Sequence, residues 1–365
     1  MQRMVLKGAA AAAVLLSLMP AAGAQEKVVR IFNWSDYIDA SILEDFKKET
    51  GIDVVYDTYD SNEILETKLL AGGTGYDVVV PSAEFLSRQI QAGVFQKLDK
   101  SKLPNLSNMW DFVQAQVANY DPGNEYSVNY MWGTTGIGVN DKKVAEALPN
   151  APVDSWALVF DPANAEKLKG CGIYMLDAPS ELFPAALSYL GLDPNSTKPD
   201  DIKKAEELLA KAAPNVRKFH SSEYINALAN GDICVAVGFS GDVLQAKSRA
   251  TEAGQGVEIS YHIPKEGALM WFDQMAIPAD APHVDEALAF INYMQRPEII
   301  AKASNFVSYA NGNKASQPLL DKSILDDKAV YPDEAVLKTL YIKQPYDAKA
   351  QRLVTRAFTT VKTGR

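Results

Sequence analysis

The sequence predicts an α/β protein of two domains, each a mixed, mainly parallel sheet flanked by helices. The chain has 365 residues, which exceeds what one hydrophobic core usually organises, so two domains are expected. Strand-like and helix-like stretches also alternate along the chain, first in its opening part and again in its middle. Such alternation is typical of parallel sheets that carry helices on their faces.

The first alternating series runs from residue 28 to residue 92. A capping box from Ser41 to Glu44 indicates the start of its first helix, and Gly51 indicates the end. Glycines end the second helix, and Pro81 closes a continuous apolar strand. The predicted elements are a strand at 28–32, the helix from Ser41, a strand at 52–56, a helix at 61–71, a strand at 76–80 and a helix at 83–92.

The middle of the chain repeats the scheme and leads into a mainly helical tail. The predicted elements are helices at 179–190, 200–213 and 221–229, a strand at 233–237, extended segments at 258–263 and 269–277, and a helix at 285–294. The pattern predicts two α/β halves, and it does not fix how often the chain crosses between them.

The first 24 residues have the features of a cleavable signal peptide. Arg3 and Lys7 precede an apolar run at 8–19, and Ala22 and Ala24 supply the small residues of a cleavage site. The run is shorter than the roughly 20 residues that a membrane span needs. Removing the peptide takes two of the 36 basic residues, leaving 34 against 46 acidic residues and a net charge of −12. This acidity argues against nucleic acid or an anionic membrane as partner.

Cys171 and Cys234 are the two cysteines of the chain. In an oxidising compartment two cysteines most simply form a disulfide, and two separate buried thiols or a metal-binding pair are the alternatives. Metal binding is disfavoured, because His220, His262 and His283 are the three histidines and lack ligand-like spacing.

Acidic and aromatic residues follow the predicted strands at the ends where α/β proteins bind ligands. An aromatic face attracts a cation, and a carboxylate accepts charge-assisted hydrogen bonds from its N–H groups. The pattern therefore indicates a site for an organic ammonium ion. The residues at these positions are Trp34, Asp36, Tyr37, Ser82, Glu84, Phe239, Asp242, Trp271 and Asp273.

Several of these residues also have a structural interpretation, and a tryptophan after a strand, such as Trp34, could belong to the core. Asp36 could cap a turn, Asp242 could be the N-cap of the helix that follows it, and Glu84 could favour its own helix start through the helix dipole. Trp271 and Phe272 are adjacent in a strand and point to opposite faces, so at least one of them is expected in the core.

Two stretches of the chain resemble known catalytic or nucleotide-binding motifs but lack residues that those motifs require. Residues 238–242 resemble a nucleophile elbow but carry Asp242 where the second glycine is required. Residues 133–138 have neither the spacing of a nucleotide-binding loop nor a lysine. The sequence therefore favours a binding protein for a small cationic solute. A binding protein for an anionic or neutral ligand, such as a sugar or a metal chelate, and an exported hydrolase are the alternatives.

Seven short stretches together give the chain its likeness to a known family: 32–38, 76–83, 130–138, 229–234, 263–267, 271–273 and 309–311. Through them it resembles the periplasmic polyamine-binding proteins of bacterial ABC importers, over essentially all of its mature length. The resemblance implies a type II binding-protein fold whose two lobes close on ligand like a clamshell. It also implies a periplasmic monomer that delivers putrescine or spermidine to a membrane ABC permease, needs no cofactor and has a Cys171–Cys234 disulfide.

The resemblance further implies the lobes and the site residues. The first lobe is expected at 25–135 and about 269–308, and the second at 136–268 and about 309–365, with the ligand cleft between them. Ligand contacts are expected from Trp34, Asp36, Tyr37, Ser82, Glu181, Asp242, Trp271, Asp273 and Tyr309.

The chain departs from close putrescine receptors at the site. Phe239 stands where those receptors carry a tryptophan, and Glu84 stands where they carry a serine. Trp271 agrees instead with the spermidine type. An extra carboxylate near the mouth of the cleft and a larger ring suit a longer, trivalent amine, so we expect spermidine to be preferred over putrescine.

Overall fold

A computed structural model describes residues 27–364, and the predicted signal peptide lies outside the described residues. No helix in this part of the chain is long and apolar enough to cross a membrane. The strands are β1 Val28–Trp34, β2 Asp53–Tyr59, β3 Val78–Val79, β4 Ser127–Asn140, β5 Ile173–Met175, β6 Val216–Phe219, β7 Val235–Phe239, β8 Ile259–His262, β9 Met270–Ala276 and β10 Ala310–Asn311. The helices are α1 Ala40–Thr50, α2 Asn62–Ala71, α3 Ala83–Gln91, α4 Asp111–Val117, α5 Asp141–Ala147, α6 Ala157–Phe160, α7 Pro162–Leu168, α8 Pro179–Tyr189, α9 Pro199–Ala212, α10 Tyr224–Ala229, α11 Ser240–Ala253, α12 Val284–Met294, α13 Pro297–Val307, α14 Lys322–Leu325, α15 Glu334–Leu337 and α16 Ala348–Thr363.

The strands form one continuous sheet in the order β2-β1-β3-β9-β4-β7-β5-β6, and β8 and β10 pair separately with β4. β1 is parallel to β2 and β3, and β5 is parallel to β6 and β7. The pairings of β9 and β4 in the middle of the sheet are antiparallel. The sheet is therefore mixed with a parallel group at each end, which confirms the predicted α/β class.

β4 belongs to both halves of the sheet. Its first part, up to Thr134, pairs with β9, and its second part, from Thr135, pairs with β7. The chain passes between the halves again from β8 to β9 and before α16, which packs on α8 and α9. β10 returns to the first part of β4. The residue boundaries expected for the two lobes stay a prediction.

The sequence did not predict β4 because three glycines interrupt its pattern. The structure explains all three by close packing, since a Cβ atom at Gly138 would lie 2.7 Å from the side chain of Val243. A Cβ atom at Gly133 would lie 2.7 Å from the ring of Trp271, and one at Gly136 would lie 2.6 Å from the hydroxyl of Tyr261. Neighbouring side chains therefore require glycine within a fully buried strand.

Two strands run further than predicted, and one helix begins earlier. β1 continues to Trp34 and β7 to Phe239, which puts an aromatic ring at each strand end. The predicted capping box at Ser41 is wrong, because Asp39 is the N-cap and accepts a hydrogen bond from Ser41 N at 2.9 Å. The predicted end at Gly51 is confirmed by its left-handed φ of 71°.

A disulfide joins Cys171 and Cys234, whose Cα atoms are 5.4 Å apart. Cys171 lies two residues before β5, and Cys234 lies immediately before β7. Because β5 and β7 are parallel neighbours, the disulfide joins the starts of the two strands. The two residues are 63 positions apart. A closed loop of this length restricts the unfolded chain, and the chain-entropy model gives a stabilisation of about 4 kcal/mol. The predicted disulfide is confirmed.

Replacing both cysteines, in C171A/C234A, is expected to lower the free energy of unfolding by about 4 kcal/mol, because the unfolded chain regains the entropy of the open loop. Urea unfolding followed by circular dichroism measures the change. Wild-type protein unfolded with a reductant is the control and should lose a similar amount. A loss below about 1 kcal/mol would contradict a stabilising role for the bond.

Candidate functional site

A cleft with about 460 Å³ of empty space opens between the two halves of the sheet. Its lining comes mainly from the segments that follow β1, β2, β3, β6 and β7 and from β9 itself. All the predicted site residues except Asp36 and Glu84 line it. The lining residues are Trp34, Ser35, Tyr37, Asp60, Asn62, Ser82, Glu181, Ser221, Ser222, Phe239, Asp242, Trp271, Asp273 and Tyr309.

A chain of aromatic rings forms the apolar wall of this cleft. Phe239 lies between Trp34 and Trp271, with ring centroids 6.2 and 5.7 Å away in edge-to-face geometry. Tyr309 continues the chain at 5.2 Å from Trp271. The indole Nε1 of Trp34 donates to Val80 O at 2.8 Å, whereas that of Trp271 is buried without a partner among the described residues. The indole N–H of Trp271 therefore has no acceptor among the described residues, unlike that of Trp34.

The structural interpretation of the adjacent aromatic pair is confirmed. Trp271 faces the cleft, and Phe272 packs on the other side of β9, with its ring centroid 6.3 Å from that of Trp132. Gly241 allows the wall to close, since a Cβ atom there would lie 2.5 Å from the ring of Tyr309.

Asp273 is held by two hydroxyl groups. Its Oδ2 accepts a hydrogen bond from the Tyr37 hydroxyl at 2.7 Å, and its Oδ1 accepts one from Ser82 Oγ at 2.6 Å. Asn62 fixes Ser82 in turn, donating to its Oγ at 2.9 Å. Burial raises the pKa of Asp273 to about 7, although both hydroxyl groups act to lower it.

Asp242, on the opposite half of the sheet, has a matching pair of donors. The hydroxyls of Tyr224 and Tyr309 each donate to one of its oxygens at 2.7 Å. Burial raises its pKa to about 6. The alternative role as an N-cap is wrong, because α11 begins at Ser240 and Asp242 lies within its first turn.

Glu181 is the third buried carboxylate in the cleft, near the start of α8. Its Oε2 accepts a hydrogen bond from Thr135 Oγ1 at 2.7 Å. Burial raises its pKa to about 8, and the negative charge of Glu84 adds to the effect. Glu63 lies close by on α2 and accepts from Ser180 at 3.2 Å, and burial raises its pKa to about 7.

Asp36 lies outside the residues that line the cleft. It has a left-handed φ of 54°, and its Oδ1 accepts a hydrogen bond from Arg249 Nη2 at 2.6 Å. Arg249 is on α11, so this half-exposed ion pair connects the two halves of the molecule. The capping role considered for Asp36 belongs to Asp39.

Glu84 is buried and also lies outside the lining residues. It is 4% exposed in the first turn of α3, so its expected position near the mouth of the cleft is wrong. Its Oε1 has no hydrogen-bond partner among the described residues. Burial raises the pKa of Glu84, and the nearby Lys343 opposes that rise.

Several lining residues were missed by the sequence analysis. Asp60 and Asn62 follow β2, where the same rule of strand ends would have found them. Ser221 and Ser222 follow β6, a short strand that the sequence pattern did not reveal. Ser35 lies in the segment after β1, where only Trp34, Asp36 and Tyr37 were predicted as site residues.

The described part of the chain contains no group of three or more His, Cys, Asp or Glu side chains arranged to hold a metal ion. The carboxylates of the cleft are instead separated by rings and hydroxyl groups. This arrangement suits a cation with apolar surface between its charges.

Residues 41–332 match the family described as bacterial extracellular solute-binding protein. The chain belongs to this family. It is 55% identical over 346 residues to the putrescine-binding periplasmic protein SpuD of Pseudomonas aeruginosa, covering 94% of each chain. It is 53% identical over 362 residues to the putrescine-binding periplasmic protein PotF of Escherichia coli, covering 99% of this chain and 98% of that one.

A solved structure supports the same assignment. The spermidine/putrescine ABC transporter substrate-binding protein PotD of Streptococcus pneumoniae superimposes with a TM-score of 0.74 at 31% identity. The match covers 92% of this chain and 98% of that one. The family resemblance found in the sequence and the type II binding-protein fold that it implied are both confirmed.

The unliganded protein is expected to lose stability as the pH rises from about 5 to about 8. Burial raises the pKa of Asp242, Asp273 and Glu181 to about 6, 7 and 8. In this window the folded state retains protons that the unfolded chain, with carboxyl pKa values near 4, has released. The free energy of unfolding therefore falls with rising pH, by about 2 kcal/mol or more.

Urea unfolding at several pH values across this window measures the trend. Glu181→Gln is the matched variant, and it should show a shallower slope because it lacks the group with the highest of the three pKa values. A stability that stays level or increases from about pH 5 to about pH 8 would contradict the expected raised pKa values.

Proposed function

We propose that this protein captures a small polyamine, putrescine in the first place, and delivers it to a membrane ABC permease. The observation that carries the proposal is the combination of Asp242, Asp273 and Glu181 in one cleft whose lining contains no Lys, Arg or His. Spermidine is the second candidate ligand.

The electrostatics of the cleft favour a cationic occupant. Each of the three carboxylates is buried, and burial opposes ionisation in all of them. An ammonium group within hydrogen-bond distance supplies the missing positive charge and lowers their pKa values again. The aromatic wall adds cation–π attraction and contacts the methylene chain between the amines.

The separation of the carboxylates on different elements favours a ligand with more than one charge. Asp242 lies in the first turn of α11, Asp273 in β9 and Glu181 near the start of α8. A diamine in the cleft could therefore meet a carboxylate with each of its amines.

Putrescine replaces spermidine as the preferred ligand. The two relatives above 50% identity are named for putrescine alone, and the relative at 31% identity is named for spermidine and putrescine. The earlier argument for spermidine depended partly on Glu84 as a carboxylate near the mouth, and Glu84 is buried outside the lining of the cleft.

The wider function follows from the same proposal. Residues 1–24 would act as a cleavable signal peptide, and the mature protein would work in the periplasm as a monomer without a cofactor and without catalytic activity. The lobes at 25–135 with about 269–308 and at 136–268 with about 309–365 would close on the ligand. The ion pair between Asp36 and Arg249 would then support the closed form.

Isothermal titration calorimetry with putrescine, spermidine and glutamine tests the proposed function. Putrescine and spermidine are expected to bind, and neutral glutamine is not. Near pH 7 the measured heat should vary with the ionisation enthalpy of the buffer, because amine binding releases protons from the raised carboxyl groups. Absence of heat and of a melting shift with both amines would overturn the proposal.

Asp273→Asn is expected to weaken putrescine binding more than about tenfold, because breaking a buried charge pair costs several kcal/mol. Calorimetry measures the affinity, and thermal melting checks that the variant is folded. The exposed carboxylate Asp326 offers the matched control, since Asp326→Asn should bind like the wild type. Unchanged affinity in Asp273→Asn would leave Asp273 with a structural role alone.

A further inference from the structure

Tyr224 is a buried residue that contacts two site residues without lining the cleft itself. It lies at the start of α10 and is 0% exposed. Its ring belongs to an apolar cluster that includes Leu176 and Val243, and it is not among the residues that line the cleft. A buried phenol hydroxyl requires a hydrogen-bond partner, and that of Tyr224 has two.

The hydroxyl of Tyr224 joins these two partners through one oxygen atom. It donates to Asp242 Oδ2 at 2.7 Å and accepts from the backbone N–H of Phe239 at 3.0 Å. A phenol carries a single proton, and a backbone N–H can act only as a donor. The Tyr224 oxygen therefore receives the bond from Phe239, and its own proton is directed to Asp242.

Both partners belong to the junction between β7 and α11. Phe239 ends β7 and supplies the ring between Trp34 and Trp271, and Asp242 lies in the first turn of α11. The Tyr224 oxygen thus holds the backbone of the aromatic wall together with the neighbouring carboxylate.

Gly238 leaves room for the ring of Tyr224 at this junction. A Cβ atom at position 238 would lie 2.5 Å from Cε2 of Tyr224. Real Cβ atoms do not approach a ring so closely, so the strand requires glycine here. The glycine and the tyrosine therefore form one packing unit beneath the end of β7.

Tyr309 holds the other oxygen of Asp242 in the same manner. Its hydroxyl donates to Asp242 Oδ1 at 2.7 Å and accepts from Asp242 N at 3.1 Å. Tyr309 lines the cleft, whereas Tyr224 does not. Each carboxylate oxygen has a second lone pair, so both oxygens of Asp242 can still accept from an ammonium group in the cleft.

The same arrangement recurs at Asp273. Asn62 Nδ2 donates to Ser82 Oγ at 2.9 Å, and Ser82 N donates to Asn62 Oδ1 at 3.0 Å, which fixes the orientation of the amide. The single hydroxyl proton of Ser82 is thereby directed to Asp273 Oδ1 at 2.6 Å. An N–H group thus directs a hydroxyl proton at both carboxylates, and hydrogen bonds in such chains strengthen one another.

We propose that Tyr224 is a positioning residue of the amine site, whose hydroxyl, directed by the Phe239 amide, holds Asp242 as an ionised acceptor beside the aromatic wall. The inference rests on the proposed function and deepens it, because Tyr224 acts on a ligand amine only through Asp242. A carboxylate that is already oriented loses little freedom when the amine binds, which favours binding.

Removing the hydroxyl alone, in Tyr224→Phe, is expected to weaken putrescine binding about tenfold near pH 7, because a hydrogen bond to a charged group is lost while the ring stays. The loss should grow as the pH falls. Tyr224 lowers the pKa of Asp242, so this pKa rises in the variant and more of the empty sites carry a proton at about pH 6 than in the wild type. The ratio of wild-type to variant affinity should therefore be larger at about pH 6 than at about pH 8.

The other groups that act on Asp242 stay in place in this variant. Asp36 raises the pKa of Asp242 and Arg249 lowers it, Tyr309 donates to it, and the charges of Asp242 and Asp273 are coupled. A change in the pH dependence of binding would therefore belong to the lost hydroxyl. Calorimetry with putrescine at the two pH values measures the affinities, and thermal melting checks that the variant is folded.

Tyr76→Phe is the matched control. The hydroxyl of Tyr76 also donates to a carboxylate, Asp57 Oδ2, at 2.7 Å, and neither residue lines the cleft. This variant loses the same type of hydrogen bond away from the site. It should keep the wild-type affinity at both pH values.

A second variant tests the inference if Tyr224→Phe does not fold. Replacing Tyr224 by 3-fluorotyrosine keeps the hydroxyl and makes it more acidic, so it is a stronger donor to Asp242. Affinity for putrescine at about pH 6 should then rise above that of the wild type, since Asp242 ionises more readily. An unchanged or lower affinity would contradict the inference.

The outcomes separate this inference from the proposed function. A wild type that binds neither putrescine nor spermidine overturns the proposed function and the inference with it. A wild type that binds putrescine, with unchanged affinity in Tyr224→Phe, overturns the inference alone. A loss of affinity that is equal at both pH values would assign Tyr224 a structural role without an effect on the ionisation of Asp242, and would also overturn it.

Discussion

Three buried carboxylates share one cleft whose lining contains no Lys, Arg or His, and the proposed ligand and function depend on this arrangement. Hydroxyl groups from both halves of the sheet orient Asp242, Asp273 and Glu181, yet they offset the cost of burial only in part. Aromatic rings keep water away and so increase that cost. A cation with apolar surface would offset the cost of burying the carboxylates and would also pack against the aromatic rings. The local geometry is thus linked to the proposed ligand.

The fold was predictable where local sequence patterns act alone. Strand and helix periods are plain from β1 to α3, and glycines mark the helix ends. β4 was not predicted because tertiary contacts, and not a local pattern, determine its glycines. Gly133 and Gly136 leave room for Trp271 and Tyr261, which lie far away in the sequence. Ser41 was predicted as the N-cap of α1, whereas the structure has Asp39 in that role. Both residue types favour the N-cap position, so the sequence alone does not distinguish between them.

The candidate site was predictable to the extent that strand ends specify it. Residues after β1, β3 and β7 were found because ligands of α/β proteins bind at those ends. The side of α3 that faces the cleft depends on helix packing, so Glu84 was misplaced near the mouth. Lys343 lies in an irregular segment without periodicity, and contacts of Tyr120 and Asn195 with the backbone of this segment hold it where its side chain is buried. Such tertiary contacts leave no local pattern to detect.

The continuity of β4 has a mechanical consequence. Its hydrogen bonds change partner from β9 to β7 at Thr134 and Thr135, so a rotation of one half against the other would twist this strand at that point, together with the other segments that cross between the halves. Thr135 also donates to Glu181. The same residue thus lies where the strand changes partner and also holds a carboxylate of the cleft, so any change in the angle between the halves would move the hydroxyl group that orients Glu181.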